Sequence, residues 1–133
     1  MAFGHPNIQA IHPTTLMFTK ESALSKAGDC VIAVSADKSL ADLSPEFKKK
    51  LMEPNAKLTI TIEADGAKEQ INASGSPKLT LTDKTETVVR KSDFASGRTI
   101  AVHADKSSLD LPREFVERLK NPKQKIKITL TVT

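Results

Sequence analysis

The chain has 133 residues, with 20 Lys and Arg against 16 Asp and Glu, a formal charge of +4, 38% apolar residues, five Phe, no Trp and no Tyr. That length allows a real core, and no apolar run approaches the roughly 20 residues that cross a bilayer. "MAFGHPNIQAIHP" lacks the basic and apolar segments of a secretory leader, and the one cysteine, Cys30, cannot form an internal disulfide, so a cytoplasmic location without membrane contact is expected.

The first β-prone runs are "NIQAIH" (7–12) and "TTLMFT" (14–19), each predicted as a strand. "CVIAVSA" (30–36) reads as a third, with Cys30, Ile32, Val34 and Ala36 on one inward face. A loop follows with Asp37 and Lys38. Leu43, Phe47 and Leu51 then recur at i, i+4 and i+8, the apolar stripe of a helix of two to three turns. Asp42 suits its N-cap, Pro45 its first turn, and Pro54 stops it. "KLTITIE" (57–63) alternates strictly, sending Leu58, Ile60 and Ile62 inward.

Beyond residue 75 the same grammar returns. "ASGSPK" (73–78) reads as a turn, "PKLTLT" and "TETVVR" as strands, and "TIAVHA" (99–104) as the counterpart of "CVIAVSA". "HADKSSLDL" (103–111) echoes "SADKSLADL" (35–43), Leu111, Phe115 and Leu119 repeat the helix stripe, and "KIKITLTVT" (125–133) repeats the alternating strand. Residues 33–63 and 101–131 agree at 15 of 31 positions when set 68 apart. Upstream the fit continues at an offset of 70, matching Ser22 to Ser92 and Leu24 to Phe94. A tandem duplication is expected, with halves of about 5–66 and 75–133.

The predicted fold is mainly β, in the α+β sense: two β-β-β-α-β halves forming one β-barrel or sandwich with two short helices. Neither half has the apolar surface to stand alone, so their strands should interdigitate about a pseudo-twofold axis within a single domain, 1–133.

Candidate chemistry centres on the repeated charged pair. Asp37, Lys38, Asp105 and Lys106, brought together near the axis with His103, could bind an anion or a metal, or shift each other's pKa for acid–base work. The competing structural role is that each Asp closes the turn after its strand. His103 stands where the first half has Ser35, so any chemistry there is not shared. A further metal site could be assembled in space from His5, His12 and Cys30, although none of the three histidines has a partner at zinc-type spacing; no cofactor is expected. Lys48, Lys49, Lys50 and Lys57, with Lys120, Lys123, Lys125 and Lys127, would serve nucleic acid only if the fold gathered them on one surface, and the chain offers few aromatic platforms for bases. Lysines alternating with Ile on the last strand also suit a guarded sheet edge.

"GHPN" (4–7), "HPTT" (12–15), "GDC" (28–30), "ADKS", "RKSDF" (90–94) and "REFVERLKNP" (113–122) together resemble an archaeal family of small uncharacterised proteins, domain of unknown function 371. The resemblance runs over nearly the whole chain. It implies an archaeal cytosolic protein with a mainly-β fold and supplies no activity. "GDCVIAV" also resembles the Gly-Asp turn of cradle-loop barrels, which are built from duplicated halves. A binding or scaffold module, with protein partners in an archaeal complex, is therefore the leading expectation. An enzyme or anion site at the axis is the rival, and nucleic-acid binding a second alternative.

Overall fold

The computed structural model describes all residues, 1–133. The elements in chain order are β1 (Ala2–Phe3), β2 (Thr15–Thr19), β3 (Val31–Ala33), α1 (Pro45–Leu51), β4 (Lys57–Ala64), β5 (Ala67–Ser74), β6 (Glu86–Arg90), β7 (Thr99–Ala101), α2 (Arg113–Leu119) and β8 (Lys125–Val132). A one-turn 3-10 segment precedes each helix, at Leu40–Asp42 and Ser108–Asp110.

Two four-stranded sheets form a sandwich-like α+β arrangement, ordered β1-β8-β4-β5 and β3-β2-β6-β7. The centre of each sheet is an antiparallel pair drawn from distant parts of the chain: β4 with β8, and β2 with β6. The sheets do not close into a barrel. A single bridge ties them at each of two corners, Phe3 to Val34 and Ser74 to Val102. Leu58, Ile60, Ile62 and Ile126 point inward from the β4–β8 pair and are fully buried, as the alternation of "KLTITIE" requires. They meet Leu16 and Ile32 and, from α2, Phe115, Val116 and Leu119 in one core.

Hydrogen bonds and close approaches recur along the chain in matched pairs. Ala2 lies across from Ile126 and Ala73 across from Leu58. A Cβ on Gly4 would run into the Leu119 and Asn121 carbonyls, and one on Gly75 into the Leu51 carbonyl. Strands β2 and β6 start 71 positions apart, β3 and β7 68. The change of offset therefore falls in the loops after β2 and β6, and is three residues.

Several predicted elements differ. "NIQAIH" and "PKLTLT" are not strands but irregular segments. They bury Ile8, Ala10, Leu79 and Leu81 in alternation, yet Ala10 and Leu81 adopt φ of +50° and +53°, which breaks an extended ladder. The strand positions they were assigned are filled by β1 and β5 instead. "ASGSPK" leaves β5 and makes the expected turn, with Leu79 N donating to Ser76 O at 3.2 Å, and a further tight connection, Asp65-Gly66 with Gly66 at φ +77°, joins β4 to β5. Cys30 and Val34 do not share the inward face with Ile32: they pack with Met17, Val31 and Val88 in a second cluster. The cause is a register shift in the β2–β3 pairing, where Met17 faces Val31 but Phe18 faces Ala33. Nor does Asp42 cap α1. Ser44 does so, its Oγ accepting from Phe47 N at 3.2 Å, while Asp42 Oδ2 closes a one-sided box by accepting from Ser39 N at 2.8 Å and Ser39 Oγ at 3.3 Å. Asp110 and Ser107 repeat that box, and Pro112 occupies the N-cap of α2.

Candidate functional site

The Asp-Lys loops are anchored at opposite edges of the first sheet. Asp37 Oδ1 accepts a bond from the Met1 amino nitrogen at 3.0 Å beside β1, and this amino group holds the Asp37 carboxyl below the usual range. Asp105 accepts from Asn72 N at 2.9 Å and from Asn72 Nδ2 at 3.3 Å beside β5. β1 and β5 are separated by β8 and β4, three strand spacings or about 14 Å. The two pairs therefore do not converge, and each Asp fastens the start of a loop to an edge strand.

Ser35 and His103 end their strands in the left-handed region, at φ +53° and +52°. Side-chain alternation stops there, so neither shares a strand face with the following Asp, and the expected Ser35/Asp37 and His103/Asp105 faces are not formed. The backbone earns compensation on the same pattern: Ser35 N donates to Glu21 O at 2.8 Å and His103 N to Ser92 O at 3.0 Å. His103 is exposed and lines neither of the two clefts described below.

His5, His12 and Cys30 do not assemble into a ligating group. His12 Nδ1 accepts from Thr14 N at 3.2 Å and Thr15 N at 3.1 Å, the task that Asp83 Oδ1 performs for Thr85 N and Glu86 N. His5 Nδ1 accepts from Asn7 N at 3.0 Å. Both imidazoles thus serve as acceptors that close turns. Cys30 is half-buried, and burial first, then the neighbouring Asp29 charge, pushes its thiol pKa up. The lysines split: Lys57 pairs at the end of β4 that faces Thr133, whereas Lys127 lies across from Glu63 at the other end, about 20 Å away along the strand.

Two clefts remain. The larger, about 390 Å³, is polar and lies between Asn7, Lys26, Arg113, Glu117 and Lys120. Its Arg113 is fully engaged, the guanidinium donating to the carbonyls of Gln9, Ala10, Ser108, Leu109 and Leu111 at 2.9–3.4 Å. Lys120 is paired with Glu117 at 3.0 Å. The smaller cleft, about 100 Å³, is apolar and runs between Ala36, Leu40, Leu43, Ile128 and Leu130, with Asp37 and Lys38 at its mouth. An apolar concavity with a few charged groups at the rim is the more site-like of the two.

Sequence reasoning did not find this cleft, because its signal is a difference between matched positions. Ile128 and Leu130 are half-buried while Ile60 and Ile62 are fully buried; Leu43, Phe47 and Ala36 are half-buried while Leu111, Phe115 and Ala104 are buried. Lys48 stands on α1 where α2 has the buried Val116. Arg90 was also missed as an individual group. It is half-buried, donates to Thr99 Oγ1 at 2.9 Å and Ser96 Oγ at 3.3 Å, and lies 5.0 Å from the Phe94 ring centre.

The model of the family described as Domain of unknown function (DUF371) matches residues 1–133. The chain belongs to this family. It is 43% identical over 125 residues to the uncharacterized protein MJ0206 of Methanocaldococcus jannaschii, covering 94% of this chain and 92% of that relative. This DUF371 chain has no helix long and apolar enough to cross a membrane.

Proposed function

We infer that the chain is a tandem duplicate folded as one domain, and that it acts in the cytoplasm as a non-catalytic binding module for protein partners. The observation that carries the reading is the apolar cleft beside β8. Aliphatic side chains at Leu43, Ile128 and Leu130 stay half-exposed there, although the same core on the other side of the molecule buries their equivalents completely. Leaving such groups in water forgoes roughly 25 cal/mol for each Å² that could be covered, and a partner that covers them recovers it. The matched hydrogen bonds at fixed offsets support the duplication, and the unpaired thiol of Cys30 suits a reducing compartment.

The test is a methyl-NMR titration with small branched amides such as isobutyramide. Shifts confined to the methyl groups of Leu43, Ile128 and Leu130 are expected. Unmoved methyls at these three residues would rule the reading out.

A further inference from the structure

The half-exposed aliphatics lie along an edge that β1 covers only at its start. β1 pairs with β8 at Ile126 and Lys125, and no strand lies beside Ile128–Val132. On the other side of the sheet β5 runs the full length of β4, from Lys57 across from Ser74 to Ala64 across from Ala67. The direction of the free groups follows from one closed pair: Lys57 N donates to Thr133 O at 3.0 Å and Thr133 N to Lys57 O at 2.9 Å. Alternation in an antiparallel ladder then turns the N–H and C=O groups of Thr129 and Thr131 toward β4, and those of Ile128, Leu130 and Val132 toward the open edge.

β5 shows what such an edge takes. Its Ile71 lies across from Ile60, fully buried. Glu69, two residues earlier on the same face, lies across from Ile62 and reaches Lys106 at 3.6 Å. On the β8 side the matching positions are Ile128, Leu130 and Lys38. Lys38 is exposed and forms no ion pair, and the apolar cleft opens where a side chain matching Ile71 would enter.

We propose that the Ile128–Val132 edge of β8 accepts an extended strand from a partner protein, antiparallel to β8, carrying an acidic residue and, two positions later, an aliphatic one. The aliphatic side chain enters the cleft across from Ile128, and the acidic one meets Lys38. Backbone bonds supply affinity and the two side chains supply selectivity, the usual division in strand addition. The proposal rests on the binding reading above and specifies its ligand.

The probe is the acetylated, amidated hexapeptide Gly-Ala-Lys-Glu-Gln-Ile, the sequence of residues 66–71, which stops short of the register held by β1. Titration into the full chain, followed by amide NMR, should shift Ile128, Leu130 and Val132. N-methylation at the peptide's Glu or Ile, whose N–H groups face the ladder, should abolish the shifts, whereas N-methylation at Gln should not. Replacing the peptide's Ile by Asp should also abolish them. Lys38→Glu should weaken binding about two- to fivefold, and a Glu-to-Lys peptide should restore it. Absent shifts at millimolar peptide, or insensitivity to N-methylation, overturns the proposal. So does a dimer that holds this edge, detected by sedimentation and lost in Leu130→Lys with thermal melting unchanged. Branched amides that move the cleft methyls while the peptide moves nothing would sink the strand and leave the binding reading standing; failure of both removes both.

Discussion

Lys91 Nζ lies 2.7 Å from Asp110 Oδ2, and Lys20 Nζ holds Asp42 Oδ2 at 3.4 Å in the matching place. Each carboxylate also accepts from the N–H of the serine that opens its 3-10 turn, Ser107 and Ser39, both at 2.8 Å. One lysine from the strand layer and one turn of backbone therefore converge on a single acid. The Lys91 ammonium and the Ser107 N–H lower the Asp110 pKa to about 2, and the Ser39 N–H with Lys20 lowers that of Asp42.

The sign of the pH effect follows. Asp110 is ionised more readily folded than unfolded, where its pKa is near 3.9. Its contribution is thus fully present above about pH 4 and is lost as pH falls toward about 2. Urea midpoints should decline through that window, and Asp110→Asn should lower the midpoint at neutral pH while flattening the decline. An unchanged slope in the variant would contradict the assignment.

Gly75→Ala should destabilise the fold by about 1–3 kcal/mol, because its Cβ meets the Leu51 carbonyl and the Ala56 methyl rather than a side chain that can move. Gly97→Ala is the control, with nothing nearer than 3.9 Å, and should stay within about 0.5 kcal/mol. Chemical denaturation reads both.

Arg113→Ala should cost about 1–3 kcal/mol, since five carbonyls lose a charged donor. Arg113→Lys should not rescue it, because an ammonium lacks the planar fork that spans them. Hydrogen exchange should quicken at Ile11 and His12, whose N–H groups are bound to Asp29 O just beyond the loop that Arg113 pins.

His12→Asp should be tolerated and His12→Ala should cost about 1 kcal/mol, the usual loss for a missing cap. Asp83 already demonstrates a carboxylate in the matching turn. Thermal melts of the two variants separate a turn-closing imidazole from one that ligates or catalyses elsewhere.

Cys30 should alkylate more slowly than a free thiol at pH 8, because burial and Asp29 keep less of it as thiolate. Iodoacetamide kinetics on the native and urea-unfolded chain measure the difference directly.

What was legible from the residues was whatever a strict period writes. The alternation in 57–63 and 125–132 and the Leu-Phe-Leu stripes marked β4, β8 and both helices. β5 escaped notice because "AKEQINAS" is an edge strand with only Ile71 and Ala73 buried, so its pattern looks polar. Residues 7–12 and 77–82 misled for the opposite reason: their apolar residues alternate in burial without a ladder, and single left-handed residues leave no mark in composition. The Asp-Lys echo was visible, but its placement depended on which strands are sheet neighbours, and that is fixed by long-range pairing rather than local sequence. The apolar cleft is a property of unequal exposure at matched positions, which the aligned residues hint at only through Lys48 and Val116.

Strand order also sets a schedule. β8, which is made well after β1 and β4, lies between them. During synthesis β1 has no neighbour, and Leu58, Ile60 and Ile62 face an incomplete layer until residues 125–132 have emerged. The β4–β5 hairpin can form locally, but the sheet it belongs to cannot. Folding therefore waits on contacts between strands far apart in sequence, which raises contact order and slows the step. A stalled or shortened nascent chain would leave its most aliphatic strand uncovered, the state in which such segments are prone to aggregate.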